Sequence, residues 1–471
     1  MSLKSFPPFN TCRSKEMQEQ QLQQAQQRKV PKRIARTVIN ALRGGVVPRI
    51  GLPWIAVGRR VEIEALLADI DTVAEGGAAM RIVTGRYGSG KSFLLQTIRA
   101  HAMDRNFVVA DADLSPDRRL QGTKGQGLAT WRELMQNLAT RTMPEGGALA
   151  LILERWMKGI QAQLASNGMA EDCSGYFAAA ESEIRHQIAA LEGVVHGFEV
   201  SAVLIRYFHA FVQGDDDVRG AVLKWLRGEY TTRAEAKAAL GVNLIVADDN
   251  WYDFLKILAL LLKGAGYAGL IVLIDELVNL SKIPNSISRQ YNYEKILMIY
   301  NDVLQGRAHY LGVVMGGTPQ AVEDPRRGLY SYEALRSRLA NGRFSVEGRC
   351  DMRSPVIQLK PLTPEELLVL VEKLEDMHAS LYGTNDSTRR LSETDLAHFL
   401  EVEFDREGAN THITPREIIR DFIEALDLLA ENPDLTPEKL FTRNTFESFS
   451  TLEDAAEESA TSAPQYAEFT L

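Results

Sequence analysis

The stretch RIVTGRYGSGKSFLLQTIRA, residues 81–100, connects an apolar run to a helix-forming run through a loop rich in glycine and serine. Gly85, Gly90, Lys91 and Ser92 within it fit the pattern G-x-x-x-x-G-K-[ST]. Glycines permit positive φ angles, so successive backbone N–H groups can converge on phosphate oxygens, and the following helix adds the positive end of its dipole. The spacing therefore predicts a phosphate chain bound in this turn.

The loop pattern also predicts a role for individual side chains. Lys91 would reach the β- and γ-phosphates of a nucleotide, and the hydroxyl of Ser92 would ligate Mg²⁺. The alternative is an ordinary strand–helix turn, which the apolar run before the loop and the amphipathic run after it disfavour. The residues predicted to bind the nucleotide are Gly85, Arg86, Tyr87, Gly88, Ser89, Gly90, Lys91, Ser92 and Phe93.

A second motif, GLIVLIDE at residues 269–276, predicts the metal and water site. Its apolar residues indicate a central strand that ends at Asp275, adjacent to the phosphate loop in a doubly wound sheet. Asp275 is expected to hold Mg²⁺, usually through water, and Glu276 to orient and deprotonate the attacking water. The alternative is a pair of surface acids capping a strand, which is less favoured beside a phosphate loop.

Four further polar residues are candidates to complete the site. Arg336 and Arg338 lie in YEALRSRLANGRF, and Thr318 follows the apolar run YLGVVMGG, where it is placed to hydrogen-bond a water or a phosphate. A guanidinium on a γ-phosphate accelerates hydrolysis roughly a thousandfold or more. Arg416 lies in the first turn of a predicted helix, where a cation opposes the dipole, so it needs another reason to be there. Surface ion pairs and an ordinary loop threonine are the alternatives.

Short apolar strands alternate with helical stretches along the chain: MRIVTG, NFVVADADLS, GLIVLIDEL, YLGVVMGGT and PVIQLK. This alternation predicts an α/β fold with a doubly wound parallel sheet covered on both faces. Well over a hundred residues separate the second strand from the third, which is too long for a normal crossover. Their helical pattern predicts an inserted helical subdomain, by default a spacer or docking surface.

The chain is expected to divide into four parts. A basic N-terminal arm and helix over residues 1–49 precede a P-loop core over 50–360, with the helical insertion at about 135–250. A helical lid over 361–435 begins with a capping-box sequence. Residues 436–471 are a C-terminal segment whose last twenty or so residues are acidic and poor in large apolar groups, which predicts a disordered tail.

Composition limits the class of protein. The net charge of −9 argues against a uniformly basic coat protein, yet nine basic residues and no acid lie between positions 28 and 60. That basic segment favours contact with nucleic acid or a neighbouring subunit, with a solvated face as the alternative.

Three widely spaced cysteines suggest neither disulfides nor zinc, so a reducing cytoplasm is expected. The most apolar region, 254–274, is interrupted by Lys263 and two glycines, which favours core helix and strand over a membrane span.

In combination these motifs resemble a known family. The phosphate loop, the Asp275-Glu276 pair, Thr318, LRSRL and TPREIIRDF occur in the order of an AAA+ ATPase of the origin-recognition/Cdc6-like group. The segment VGRRVEIEALLADI resembles that group's GR-x-x-E segment, which packs near the adenine. Several stretches within residues 35–160 are similar to bacterial ATP-binding proteins of phage-defence operons, typified by the BREX ATP-binding component.

The resemblance implies binding of ATP and Mg²⁺, and hydrolysis coupled to assembly of a defence complex, often on DNA. It implies a homo-oligomer in which a neighbour supplies the arginine finger, Arg338 first and Arg336 second, with Arg416 as the sensor on the lid. Other defence proteins such as a helicase are expected partners. The sensor position is usually Asn but here is Thr318, which leaves open a nucleotide-gated interaction module that hydrolyses little. No winged helix is expected after the lid, so any DNA would meet the N-terminal basic region or the helical insertion.

Overall fold

The computed structural model describes residues 30–189, 196–340, 351–382, 391–405, 413–432 and 434–441. The glutamine-rich start of the arm and the acidic tail lie outside these residues, as do Cys12 and Cys350. Cys173 is an exposed free thiol. In this part of the chain no helix is both long and apolar enough to cross a membrane.

A parallel sheet of five strands is the centre of the fold, in the order β2-β3-β4-β1-β5. This confirms the predicted α/β class, a P-loop type of sheet with a helical C-terminal region. The strands are β1 Ala78–Thr84, β2 Val108–Asp113, β3 Leu270–Asp275, β4 Leu311–Gly317 and β5 Val356–Gln358.

The helices of the described residues follow in chain order. They are α1 Lys32–Arg43, α2 Leu52–Ile55, α3 Arg60–Ala74, α4 Lys91–Asp104, α5 Gln126–Gln136, α6 Leu149–Ser166, α7 Tyr176–Ala189, α8 Gly197–Gln213, α9 Asp216–Leu226, α10 Arg233–Leu240, α11 Trp251–Gly264, α12 Val278–Ser281, α13 Ser286–Leu304, α14 Pro319–Glu323, α15 Glu333–Leu339, α16 Pro364–Tyr382, α17 Glu393–Asp405, α18 Pro415–Glu431 and α19 Pro437–Leu440, with a 3₁₀ turn at Leu329–Ser331.

Successive residues of the strands enter two different cores. Ile82 and Val272 face the core shared with the insertion and α13, whereas Val83 and Leu273 face α3 and α4. Both faces are therefore covered, which explains why the strands read as continuous apolar runs rather than alternating ones.

The long segment between β2 and β3 folds as helices α5 to α11. Trp131, Trp225 and Trp251 are fully buried there. Each indole N–H donates to a backbone carbonyl, at 2.9, 2.7 and 2.8 Å respectively. Since a buried indole needs such a partner, these bonds fix how the helices pack on one another and on the sheet. The insertion is thus an integral part of the core.

The chain divides into two compact units, one of residues Arg59–Pro361 and one that combines the segment up to Gly58 with residues from Leu362 onward. In the latter unit α1 packs on α16 and α18. Asp427 of α18 accepts from Arg43 of α1 at 2.9 and 3.0 Å and contacts His378 of α16 at 3.1 Å. A capping box precedes α18, with Thr414 and Glu417 reciprocally bonded.

Candidate functional site

The glycine-rich loop connects β1 to α4 and adopts the backbone conformation that its sequence predicts. Gly88 and Gly90 have φ of 73° and 92°, in the left-handed region that favours glycine. Gly90 is the N-cap of α4, and no side chain caps that helix. The first-turn N–H groups of α4 therefore have no side-chain acceptor and are oriented to bind an anion.

Gly85 is required for a different reason, namely close packing inside the loop. A Cβ atom built on Gly85 would lie 2.4 Å from the Oγ atom of Ser89. The Ser89 hydroxyl is itself buried and has no hydrogen-bond partner in the structure. An unpartnered buried hydroxyl in a loop of this shape fits a site that is completed by a polar ligand.

Lys91 lies inside the curve of the loop. Its Nζ donates to the carbonyl oxygens of Gly85 and Arg86 at 2.9 and 2.8 Å and lies 5.5 Å from the centre of the Tyr87 ring. Burial lowers the pKa of Lys91, an effect that the negative charges of Asp275 and Glu276 oppose. To reach a phosphate, the ammonium group must exchange these two carbonyls for phosphate oxygens.

The predicted metal residues are in direct contact. The Ser92 hydroxyl donates to Oδ2 of Asp275 at 2.6 Å, and Oδ1 of Asp275 accepts from the backbone N–H of Glu276 at 2.8 Å. Across the residues described, no cluster of three or more His, Cys, Asp or Glu could hold a metal by itself. One hydroxyl and one carboxylate suit Mg²⁺, which usually keeps several waters and takes phosphate oxygens as ligands.

Asp275 lies next to the phosphate loop as expected, although its strand β3 does not pair with β1, because β4 lies between them. The carboxylate nevertheless reaches Ser92, since β4 carries no side chain at this level. A Cβ atom on Gly316 would lie 2.3 Å from Oδ1 of Asp275, and one on Gly317 would lie 3.0 Å from the Leu277 side chain. Two consecutive glycines in a buried strand are the sequence signal for such a close approach.

Glu276 has a left-handed backbone with φ of 63°. This conformation costs roughly 1–2 kcal/mol for a residue with a side chain. The bond from its own N–H to Asp275 and the bond from the N–H of Leu277 to the carbonyl of Gly316, at 2.9 Å, hold the turn in place. Strain of this kind is concentrated at functional positions, and here it falls on the predicted general base.

A third carboxylate, Asp113, lies at the same edge of the sheet and was missed in the sequence. It ends β2 and stands in register with Asp275. Desolvation raises the pKa of Asp113, and the charges of Asp275, Asp111 and Glu276 raise it further. The repeated acids of ADAD at the end of a predicted strand were the available signal. The cluster is a negative field that a divalent cation would relieve.

Arg59 connects the segment before α3 to the phosphate loop. Its guanidinium donates to the carbonyl of Ser89 at 2.9 Å and to that of Lys360 at 2.6 Å, and it pairs with Glu62 at 3.3 Å. The side chains of Arg59 and Glu62 are only 7% and 11% exposed. The GR-x-x-E segment thus supports the loop through its backbone, a role that sequence reasoning did not assign.

Thr318 caps the short helix α14, since its Oγ1 accepts from the N–H of Ala321 at 3.2 Å. The hydroxyl proton remains able to donate to another acceptor.

Tyr87 is 54% exposed at the loop, and its pKa is raised by desolvation and by Glu276 and Asp275. Phe93 is half-buried in the first turn of α4.

Two of the candidate arginines, Arg336 and Arg338, make contacts within their own helix α15. Arg336 is 3.8 Å from Glu333, and Arg338 donates to the carbonyl of Ala334 at 2.7 Å, both on the exposed face of α15. Arg416 donates to the carbonyl of Gly45 at 2.6 Å within its own compact unit. The structure therefore brings together Lys91, Ser92, Asp275 and Glu276, and it does not bring Arg336 or Arg338 to them.

Comparison with known proteins gives one family. The family model described as BREX system ATP-binding protein BrxC/D matches residues 30–445, which cover the described residues of both compact units and the whole site. No curated protein shows significant similarity to the chain.

Proposed function

The chain belongs to the BREX system ATP-binding protein BrxC/D family, a family of phage-defence ATP-binding proteins, and we propose that it hydrolyses ATP with Mg²⁺. Hydrolysis would drive assembly or remodelling of the defence complex on DNA. The observation that carries this proposal is the 2.6 Å contact between Ser92 and Asp275. Two oxygen ligands from distant segments meet at the start of α4, where the loop presents its N–H groups.

In this proposal each residue of the site has a separate task. Backbone N–H groups of the loop bind the phosphates, and Lys91 contributes its charge. Ser92 and Asp275 hold Mg²⁺, which when bound neutralises phosphate charge and stabilises the transition state. Glu276 accepts the proton of the attacking water. Thr318, through its free hydroxyl proton, is the candidate to position that water or the γ-phosphate.

The arginines are proposed to act from outside a single site. Arg338, with Arg336 as the second choice, lies on an exposed helix and so is accessible to a neighbouring subunit. A finger supplied in trans requires a homo-oligomer, and it raises turnover by roughly 10³ to 10⁵. Arg416 is the proposed sensor of the lid. Further partners are other proteins of the defence system, such as a helicase.

Steady-state ATP turnover of the wild type and of Glu276→Gln tests hydrolysis. We expect turnover to fall at least a hundredfold in the variant while Mg²⁺-dependent ATP affinity is retained. Lys91→Ala is the matched variant that loses affinity as well. Equal, near-zero turnover of wild type and Glu276→Gln, with DNA and partner proteins present, would refute the proposal.

A second candidate is a nucleotide-gated interaction module that hydrolyses ATP slowly. The engagement of Thr318 as a helix cap favours it, since one lone pair of the expected water-positioning hydroxyl is occupied. This module predicts that Lys91→Ala abolishes partner binding, while Glu276→Gln preserves or strengthens it. The opposite pattern would exclude the module.

A further inference from the structure

One end of the insertion carries a group of cations without carboxylate partners. Elsewhere in the described residues many arginines are paired, for example Arg60 with Glu64, Arg105 with Asp71 and Arg81 with Asp69. Between residues 126 and 250, eight cations have no ion pair with a described carboxylate. Arg155 and Lys158 lie on α6, and the other six are Arg132, Arg206, Lys224, Arg227, Arg233 and Lys237. We call these other six the insertion patch.

The fold brings the members of the insertion patch together. Helices α8 and α9 pack on each other and are joined by two residues, so they run antiparallel. Arg206 and Lys224 each lie about two turns from that connection, at the same level of the hairpin. Arg132 donates to the carbonyl of Gly228, just past the end of α9, at 2.8 Å.

The end of α10 joins the same surface. A Cβ atom built on Gly241, the C-cap of α10, would lie 2.8 Å from Nη2 of Arg206. The N–H of Gly241 donates to the carbonyl of Lys237 at 2.9 Å, so Lys237 lies in the last turn of α10, the end of the helix that Arg206 approaches at Gly241. The hairpin is therefore polarised, because its connecting end carries Asp215, Asp216 and Asp217.

Favourable interaction with helix dipoles does not account for this much charge. The C-terminal ends of α9 and α10 each carry a partial charge of about −0.5. The acids interspersed among the cations are Glu229 and Glu235, and Glu235 is already hydrogen-bonded by Thr231. The excess of positive charge stands out in a chain whose net charge is −9.

We propose that the insertion patch binds the phosphate backbone of duplex DNA. This inference rests on the proposed function on DNA and names the surface that would hold it. Trp225 and Tyr230 within the patch are buried, and Phe198 at the start of α8 is an isolated exposed ring. Single-strand binders use successive exposed aromatic side chains as stacking surfaces, so duplex phosphate is the better match.

The test compares two triple variants of the full chain with equal changes of charge. R206Q/K224Q/K237Q removes three charges from the patch, whereas K124Q/K158Q/R326Q removes three exposed charges elsewhere. Affinity for a 30-base-pair duplex is measured as a function of salt, together with Mg²⁺-ATP affinity and thermal unfolding. We expect the patch variant to bind duplex at least tenfold more weakly at low salt. Its slope of log affinity against log salt should fall by about 2 to 3, with ATP affinity unchanged in both variants.

Several outcomes would overturn the inference. They are equal losses in the two variants, no duplex affinity of the wild type at low salt, or loss of duplex binding only on K32Q/R33Q/R36Q in α1. Preference for single strands that disappears in Phe198→Ala would likewise contradict a duplex site. If only the inference about DNA is wrong, the wild type still binds Mg²⁺-ATP and turns it over. If the proposed function is wrong, ATP binding or turnover is absent, so the two failures are distinguishable.

Discussion

Gly316 leaves the space into which the Asp275 carboxylate extends, since a Cβ atom on Gly316 would lie 2.3 Å from Oδ1 of Asp275. The strand that separates β3 from β1 is thereby kept free of side chains where the carboxylate reaches Ser92. The geometry of the proposed metal ligands Ser92 and Asp275 therefore depends on a residue that has no side chain.

Gly316→Ala is accordingly expected to displace the Asp275 carboxylate and to weaken Mg²⁺-dependent ATP binding at least tenfold. ATP binding without Mg²⁺ should change little, because the loop N–H groups and Lys91 are untouched. Calorimetric titration with and without Mg²⁺ measures both affinities.

Gly312→Ala is the matched control on the same strand. The added methyl there meets the end of the Ile271 side chain at 2.7 Å, in the core away from the site. It should lower the free energy of unfolding by about 1–3 kcal/mol. It should leave the difference between the ATP affinities with and without Mg²⁺ unchanged. A similar loss of Mg²⁺-dependence in both variants would show that Gly316 has no specific role.

Arg59 is expected to contribute both to the stability of the fold and, through the phosphate loop, to ATP affinity. Removing it by Arg59→Met leaves the Glu62 carboxylate buried without its cation, which destabilises by about 3 kcal/mol or more. Replacing both residues, as Arg59→Met with Glu62→Leu, should restore much of the stability. ATP affinity should remain low in the double variant, because the carbonyl of Ser89 still lacks its donor.

Chemical denaturation and ATP titration of the single and double variants separate these two effects. Recovery of ATP affinity together with stability would mean that Arg59 supports only the fold and not the loop. Arg60→Met with Glu64→Leu, an exposed pair one residue along the helix, controls for charge removal and should change neither quantity much.

Glu276 should carry backbone strain that glycine would remove. Glu276→Gly is expected to raise the free energy of unfolding by about 1 kcal/mol, since φ of 63° costs glycine nothing, while abolishing hydrolysis. Glu276→Gln abolishes hydrolysis as well but retains the strain, so its stability should stay near that of the wild type. If Glu276→Gly is no more stable than Glu276→Gln, the strain is absent.

The sequence predicted those parts of the molecule in which one segment determines its own structure. The five strands follow from their apolar runs, and the loop conformation follows from Gly88 and Gly90. The contact of Ser92 with Asp275 followed from pairing two motifs. The space at Gly316, the register of Asp113 with Asp275 and the reach of Arg59 to Ser89 depend on strand order and on long-range packing. A single sequence does not supply these. Likewise the apolar face of α1 predicted a helix, yet its packing on α16 and α18 is determined by long-range tertiary contacts.

The His378 imidazole links pH to the stability of the unit that contains α1, α16 and α18. Burial lowers the pKa of His378, an effect that hydrogen bonding and attraction to Asp427 oppose. The folded state therefore binds its proton less readily than the unfolded state, whose pKa is about 6.5. The stability that the neutral imidazole contributes is fully present above about pH 6.5. It is lost as the pH falls from there through the lowered pKa of the folded state. Thermal unfolding between pH 8 and 5 should show this loss in the wild type, and His378→Gln should lack that component. A parallel pH dependence in the two proteins would assign the loss to groups other than His378. The charged groups beside the imidazole are Asp427, at 3.1 Å, and Arg43, which pairs with Asp427.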